Sequence, residues 1–291
     1  MKRILFVIIC CACLCAFSQV SSAATVTKTL TVSKADLLNA TAFSLYFGLG
    51  GAQVNFTRSD SEDTIVEAVV TYDDAKPAPT LTTSSSGGSF TAKFTSGIES
   101  GNDQVPEIEK WEVTIGSFDI DTDLGINGGG LAGSMELGGL PLRKCNFNLG
   151  GVSMDINFST PTTRQVEKLS IQSGGIVLTM SNIGNTDFGE FQLLGGGYTG
   201  TLDFQGILTS LQHKATILAA GSTLKLSVPP DVGEKFKIIS VGALVSFPGS
   251  GWNKKGMFFV KEYTTDDYAS SNIKLDFDLL AAGALVTIVR Q

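Results

Sequence analysis

The stretch CNFNLGGVSMDINF, residues 145–158, is answered by LSIQSGGIVLTMSN, residues 169–182. Apolar and polar residues alternate on both sides of a paired glycine, which is the period-two signature of a strand with one buried face. Four more stretches share the pattern: LYFGLGGAQVNFT from Leu45, LGINGGGLAGSMEL from Leu124, FQLLGGGYTGTLDF from Phe191 and ATILAAGSTLKLSV from Ala215. Anchored on Gly51, Gly130, Gly151, Gly175, Gly197 and Gly221, the last five repeat every 21 to 24 residues.

Counting from each anchor, positions −6, −4, +3, +5 and +7 hold 26 apolar residues out of 30, the exceptions being Arg58, Gly133, Asn182 and Gly200. Of the 18 residues at −5, +4 and +6, only Tyr46 is apolar. Each unit therefore reads as two short strands meeting at a glycine corner, where positive φ is available without steric cost. One such unit cannot bury its apolar face alone, but a stack of them can. The expected fold is all-β, a β-solenoid-like stack with Gly-Gly corners, capped by sheet regions at both ends. Met135, Ile156, Met180, Leu202 and Leu226 should form one inward column, and Ile126, Phe147, Ile171, Leu193 and Ile217 another. Asn157 and its equivalents should face outward. The polar connections 159–168, 184–190 and 206–214 should lie on one side of the stack.

Working outward, residues 1–23 read as a signal peptide. Lys2 and Arg3 precede an apolar run over 4–17, and the small residues Ser21 to Ala24 follow. That run is shorter than the ~20 residues a spanning helix needs. Cleavage near Ala23 removes four of the five cysteines and leaves 19 basic and 28 acidic residues, a charge of −9. The mature chain should then be extracytoplasmic, periplasmic or secreted, with no stable transmembrane segment. Its acidity argues against nucleic acid as a partner. Residues 24–110 read as an N-terminal β region, 111–233 as the glycine-rich repeat, and 234–291 as C-terminal capping strands. The one helical candidate is 34–40.

Candidate chemistry is sparse. Asp119, Asp121 and Asp123 alternate, so their carboxylates would share a strand face and could offer oxygens to Ca²⁺. The stretch departs from a calcium loop at Leu124 and Gly130, so an outward polar face is the preferred reading. Residues 128–136 are glycine-rich but lack the Lys-Ser/Thr ending of a phosphate loop, and read as another rung. His213 reads as a surface histidine in a loop. Cys145 falls in an inward column and reads as a core residue. Asp266 and Asp267 read as a turn. Trp252, in the glycine-rich basic stretch 249–256, could stack on a sugar or fold back over the end of the stack. A carbohydrate lyase or hydrolase would need paired acids, or an acid with Lys or Arg, on adjacent rungs. Asp155, Asp203 and Glu136 instead stand singly. No catalytic, cofactor-binding or metal-binding residue is assigned, and no cofactor is expected.

Several segments carry a resemblance: LYFGLGGAQVNF at 45–56, YDDAKPAPTL at 72–81, EKWEVTI at 109–115, the two-rung stretch 135–159, and residues 168–185, 202–206 and 224–233. The chain resembles the bacterial toast-rack family of extracytoplasmic proteins, related in pattern to the C-terminal part of cell-wall-active antibiotics response proteins and to glycine-rich adhesin-like β-solenoids. The resemblance implies a stacked β architecture in the envelope with a link to envelope stress. It supplies no catalytic residue. The expected function is a non-enzymatic structural or interaction module, meeting an envelope protein or a cell-wall glycan. A solenoid lyase or hydrolase and a self-assembling adhesin are the alternatives.

Overall fold

The computed structural model describes residues 24–97, 109–257 and 259–291. The expected signal peptide and residues 98–108 of the expected N-terminal β region lie outside them. The N-terminal strands are β1 (Thr25–Ser33), β2 (Ala42–Gly50), β3 (Ala52–Arg58), β4 (Thr64–Asp73), β5 (Thr80–Ser86), β6 (Ser89–Thr95) and β7 (Glu109–Ile115). The middle contains β8 (Asp121–Gly129), β9 (Ala132–Glu136), β10 (Leu142–Asn157), β11 (Lys168–Ser181), β12 (Glu190–Asp203), β13 (Gln212–Ala220) and β14 (Thr223–Val228). The last are β15 (Gly233–Val241), β16 (Leu244–Ser246), β17 (Trp252–Met257), β18 (Val260–Thr265), β19 (Lys274–Ala282) and β20 (Leu285–Arg290). In place of the expected helix at 34–40 stands a 3-10 turn over Lys34–Leu37, where the Ser33 N–H donates to Asp36 at 2.7 Å.

The strands form one hydrogen-bonded sheet folded along a line of corners into two faces. One face runs β5, β6, β2, β8, first half of β10, of β11 and of β12, then β13, β19, β15, β18 and β17. The other runs β1, β4, β7, β3, β9, second halves of β10, β11 and β12, then β14, β20 and β16. Strands β10, β11 and β12 pass through the fold line without a break.

The six expected corner glycines all take positive φ, from 56° at Gly51 to 74° at Gly175. The inward columns stack in the expected register. Ile156 pairs with both Met135 and Met180, and Phe147 with both Ile126 and Ile171. Leu202 continues the first column between Met180 and Leu226. Cys145 sits between Leu124 and Leu169, fully buried, and burial pushes its thiol far up.

The exceptions to the apolar pattern have causes. Gly133 and Gly200 hold inward positions at φ of 143° and 149°. A Cβ there would overlap the backbone carbonyl of Val54 or of Leu178 on the adjacent rung. Arg58 and Asn182 lie at rung ends. Arg58 Nη1 donates to the carbonyls of Ile115 and Gly116, and Asn182 Nδ2 donates to Asn157 Oδ1 at 2.9 Å. Asn157 is accordingly less free than its outward position suggests, since its own amide donates to Glu136 at 2.7 Å.

The connections do lie on one side, but they are more than polar turns. Val166, Phe188 and Leu208 point from them into the core, beside the buried Phe158, Ile183 and Phe204 at the rung ends. Buried Asn185 ties three loops, donating to the Phe158 carbonyl and accepting from the Ile207 N–H.

Both ends of the stack depart from chain order. Strands β6 and β7 lie outside the earlier rung β2/β3, which sits against β8/β9. At the other end β19/β20 slides between β13/β14 and β15/β16. Two further rungs therefore lie within 233–290, with corners at Gly242 and Gly283 at φ of 59° and 55°. Only β17 and β18 of that region add a terminal hairpin.

The glycine roles make a paired test. Gly200→Ala should lower unfolding stability by more than about 3 kcal/mol, because the carbonyl of Leu178 cannot move away. Gly151→Ala meets open space and should cost about 1–2 kcal/mol, the left-handed penalty alone. Urea midpoints of the two variants measure the difference.

Candidate functional site

The acidic strand is an arginine-binding surface. Arg164 reaches Asp119 at 2.7 Å and Asp121 at 3.1 Å, while Arg143 grips both oxygens of Asp123 at 2.6 and 3.1 Å. Asp119 precedes β8 rather than sharing its face with the other two. No group of three or more His, Cys, Asp or Glu suited to a metal occurs among the described residues. Beside Arg164 opens a cleft of about 820 Å³ at the N-terminal end of the loop side, with Leu37, Ile65, Phe118 and Ile120 in its lining.

His213 corrects the sequence reading. It belongs to β13 and is buried, with Nδ1 2.6 Å from the Phe188 carbonyl oxygen and Nε2 2.9 Å from that of Ser210. Asp187, 3.7 Å from Nε2, staples the same loops. Burial alone would raise its carboxyl, yet hydrogen bonds from the N–H and hydroxyl groups of Thr209 and Ser210 hold it below the usual range.

Trp252 lies in a strand, not a loop, and folds back over the end of the core. Its ring centroid is 4.9 Å from that of Phe247 and 5.7 Å from that of Phe236. Phe236 in turn stacks on Phe277 at 4.1 Å. Asp266 and Asp267 do sit in a turn, bound by Asn253 and by Arg290. On the outward rows Asp155 pairs with Ser134 and Thr179, and Asp203 with Ser227, so neither meets a second acid across the ladder. Residues 128–136 form the β8/β9 corner.

The rung exchange builds a site that the repeat did not reveal. Inserting β19 places Asp276 between Lys214 and Lys235, and Asp278 between Thr216 and Lys237. Glu262 adjoins Lys237 on β18. These groups line a shallow basin of about 590 Å³ on the outer surface, with Gln212 at its edge. Lys235 Nζ donates to Asp276 Oδ2 and to the Tyr268 hydroxyl, both at 3.0 Å, and Tyr268 donates to Asp276 Oδ1 at 2.8 Å. Lys214 lies 3.4 Å from Asp278. Burial alone would lower the Lys235 ammonium, but its bonds to Tyr268 and Asp276 leave it raised. Burial raises the Tyr268 phenol, and Asp276 adds to this against the opposing pull of Lys235. Both groups thus hold their protons more firmly than usual. The sequence signal was present only as pairwise alternation in KLDFD at 274–278, whose neighbours cannot be read from chain order.

Near the basin, Glu234 is fully buried at the start of β15. Arg290 Nε lies 3.2 Å from Oε2 but off the hydrogen-bond direction. Burial raises this carboxyl to about 8 despite Arg290, and Asp267 adds to the rise. The folded state therefore binds a proton that the unfolded chain releases above about 4.5, so stability falls as pH rises from there to about 8. Glu234→Gln should flatten that slope. It should raise the melting temperature at pH 8.5 and leave it nearly unchanged at pH 4, as thermal scans of both proteins would record.

No family model matches the chain, and no curated protein is similar to it in sequence. Solved structures are similar in shape. A candidate cell adhesion protein from Clostridium sporogenes ATCC 15579 superposes with a TM-score of 0.53 at 15% identity, over 92% of this chain and all of that one. A candidate adhesin from Bacteroides fragilis NCTC 9343 gives 0.43 at 13% identity, over 92% of this chain and 97% of that one. The first likeness shows that the stacked fold is shared. Among the described residues no helix is long and apolar enough to cross a membrane.

Proposed function

We propose that this chain is an exported, non-enzymatic interaction module of the bacterial envelope, belonging with the toast-rack and adhesin-like stacked-β proteins, and that the charged basin recognises a cell-wall glycan. The observation that carries the reading is the pairing inside the basin. Lys235, Tyr268 and Asp276 are bonded to one another at 2.8 to 3.0 Å, which fixes their side chains as a rigid floor. The other lining groups, Lys237, Glu262, Gln212 and the exposed Lys214–Asp278 ion pair, are donors and acceptors side by side on a rigid sheet. Such an array suits a polyhydroxylated chain, whose hydroxyls both donate and accept. The resemblance to envelope proteins and the adhesion reading of the Clostridium sporogenes protein support the location. The signal-peptide pattern at 1–23 supports export, and the same resemblance makes envelope stress the setting in which to look for expression.

Sedimentation with purified bacterial sacculi tests this. The protein should pellet with them, and Lys214→Ala with Asp278→Ala should weaken binding by roughly tenfold or more. The sacculi should release no soluble fragments. Fragment release abolished by Asp276→Asn would overturn the reading in favour of an enzyme, and binding untouched by the double variant would overturn the assignment of the basin.

A further inference from the structure

The outward row nearest the fold line changes character along the stack. In the middle rungs it reads Asn127, Asn148 and Gln172, with Asn148 Nδ2 donating to Asn127 Oδ1 at 2.7 Å. From β12 onward it reads Leu194, Leu218, Leu280, Ile239, Val260 and Met257, six apolar residues abreast across six strands. Such a row on a solvent-facing surface has no role in the core. Leu280, Ile239, Val260 and Met257 are 46%, 38%, 50% and 76% exposed. Val241 and Phe259 extend the patch at the fold line, and Leu244 and Leu285 carry it round onto the other face. These eight make up most of the large apolar side chains that the described residues expose. Contiguous exposed apolar surface on this scale marks an interaction site.

The surroundings favour one occupant. The β17–β18 hairpin projects Met257 and Phe259 at its turn, and that turn is fixed to the stack by the Ser240 N–H donating to the Phe259 carbonyl at 2.9 Å. Lys255 shares the face of the apolar row, Lys254 and Lys261 lie on the other face of the hairpin with Lys254 over the Tyr263 ring, and Lys237 lies one row behind. Against these four cations stand Glu262 and Asp278, so the hairpin end, taken over both faces, is cationic on a chain whose formal charge is −7. Lysines on β17, the free edge, oppose pairing with a second copy, because two such edges would bring like charges together. An apolar convex tip ringed by lysines is instead complementary to an anionic bilayer, which takes aromatic and aliphatic side chains between its headgroups and attracts nearby cations.

We infer that the C-terminal end of the stack docks on anionic membrane surfaces, with Met257, Phe259 and Val260 entering the headgroup layer and the lysines meeting lipid phosphates. The tip's apolar residues lie outside the basin, although Lys237, Glu262 and Asp278 border both, and its role stands apart from the glycan reading. Vesicle flotation tests it, with the full chain and with the chain from Ala24 onward, so that the apolar stretch near the N-terminus is controlled. Vesicles containing about 30 mol % phosphatidylglycerol in phosphatidylcholine should carry both forms, and pure phosphatidylcholine should carry the shorter form far less. Met257→Ser with Phe259→Ser should reduce binding of the shorter form by roughly tenfold, and Lys254→Glu with Lys255→Glu by a similar factor. Lys214→Ala, outside the tip, should leave it unchanged, which separates this surface from the glycan site. Equal binding by the tip variants, or no binding to anionic vesicles, overturns the inference. So does a dimer in sedimentation equilibrium that Leu280→Asp dissociates, since the patch would then belong to a second copy.

Discussion

A strand that must turn without leaving the stack is the constraint on which the rest depends. Each rung contributes inward side chains to both faces of one core, so the chain has to bend between them while its ladder hydrogen bonds continue. The corner N–H groups do continue it: Gly51 donates to the Gly129 carbonyl, Gly130 to Gly150, Gly221 to Ala282 and Gly283 to Val241, all within 3.0 Å. Left-handed backbone at each corner allows this, and glycine adopts it at no steric cost. The bend repeats at the same register, so the inward columns align and Phe47, Ile126, Phe147 and Ile171 follow one another as neighbours. With four of the five cysteines in the first 23 residues and Cys145 buried alone, stability rests on that alignment.

The alignment was legible because it is periodic. Alternation at period two, punctuated by glycine every 21 to 24 residues, identifies inward and outward positions one by one. It located the corners and the buried Cys145. Other features were not periodic and so were not legible. Arg143 and Arg164 reach the acidic strand from outside its own stretch of chain, and nothing in the spacing of Asp119, Asp121 and Asp123 announces them. His213 lies in a strand where the polar connection 206–214 was expected, and its burial depends on Phe188 and Ser210 from loops. Trp252 had two readings in sequence, and its contacts with Phe236 and Phe247 support the end-of-core reading.

The exchange of terminal rungs explains why the two candidate surfaces were harder to read than the fold. Chain order predicts that a rung meets its sequence neighbours. Here Asp276 comes to lie between Lys214 and Lys235 and Asp278 beside Lys237, and the apolar row gains Leu280 between Leu218 and Ile239. Both the basin and the lysine-ringed tip are products of that insertion. The same asymmetry separates the polar middle of the outer surface, built of Asn, Gln, Ser and Thr, from a C-terminal end that is charged and then apolar.

Spin labels report the stacking order most directly. Thr223, Leu285 and Leu244 are exposed equivalents two residues past their corners, so nitroxides placed on them in pairs leave the core intact. With β20 inserted, the pairs 223/285 and 285/244 lie one strand spacing apart, about 5 Å between backbones, and 223/244 about twice that. The first two pairs should show strong dipolar broadening and the third much weaker broadening. Strong broadening for 223/244 with weak broadening for 223/285 would mean that rungs stack in chain order, and would contradict an origin of both surfaces in the exchange of rungs.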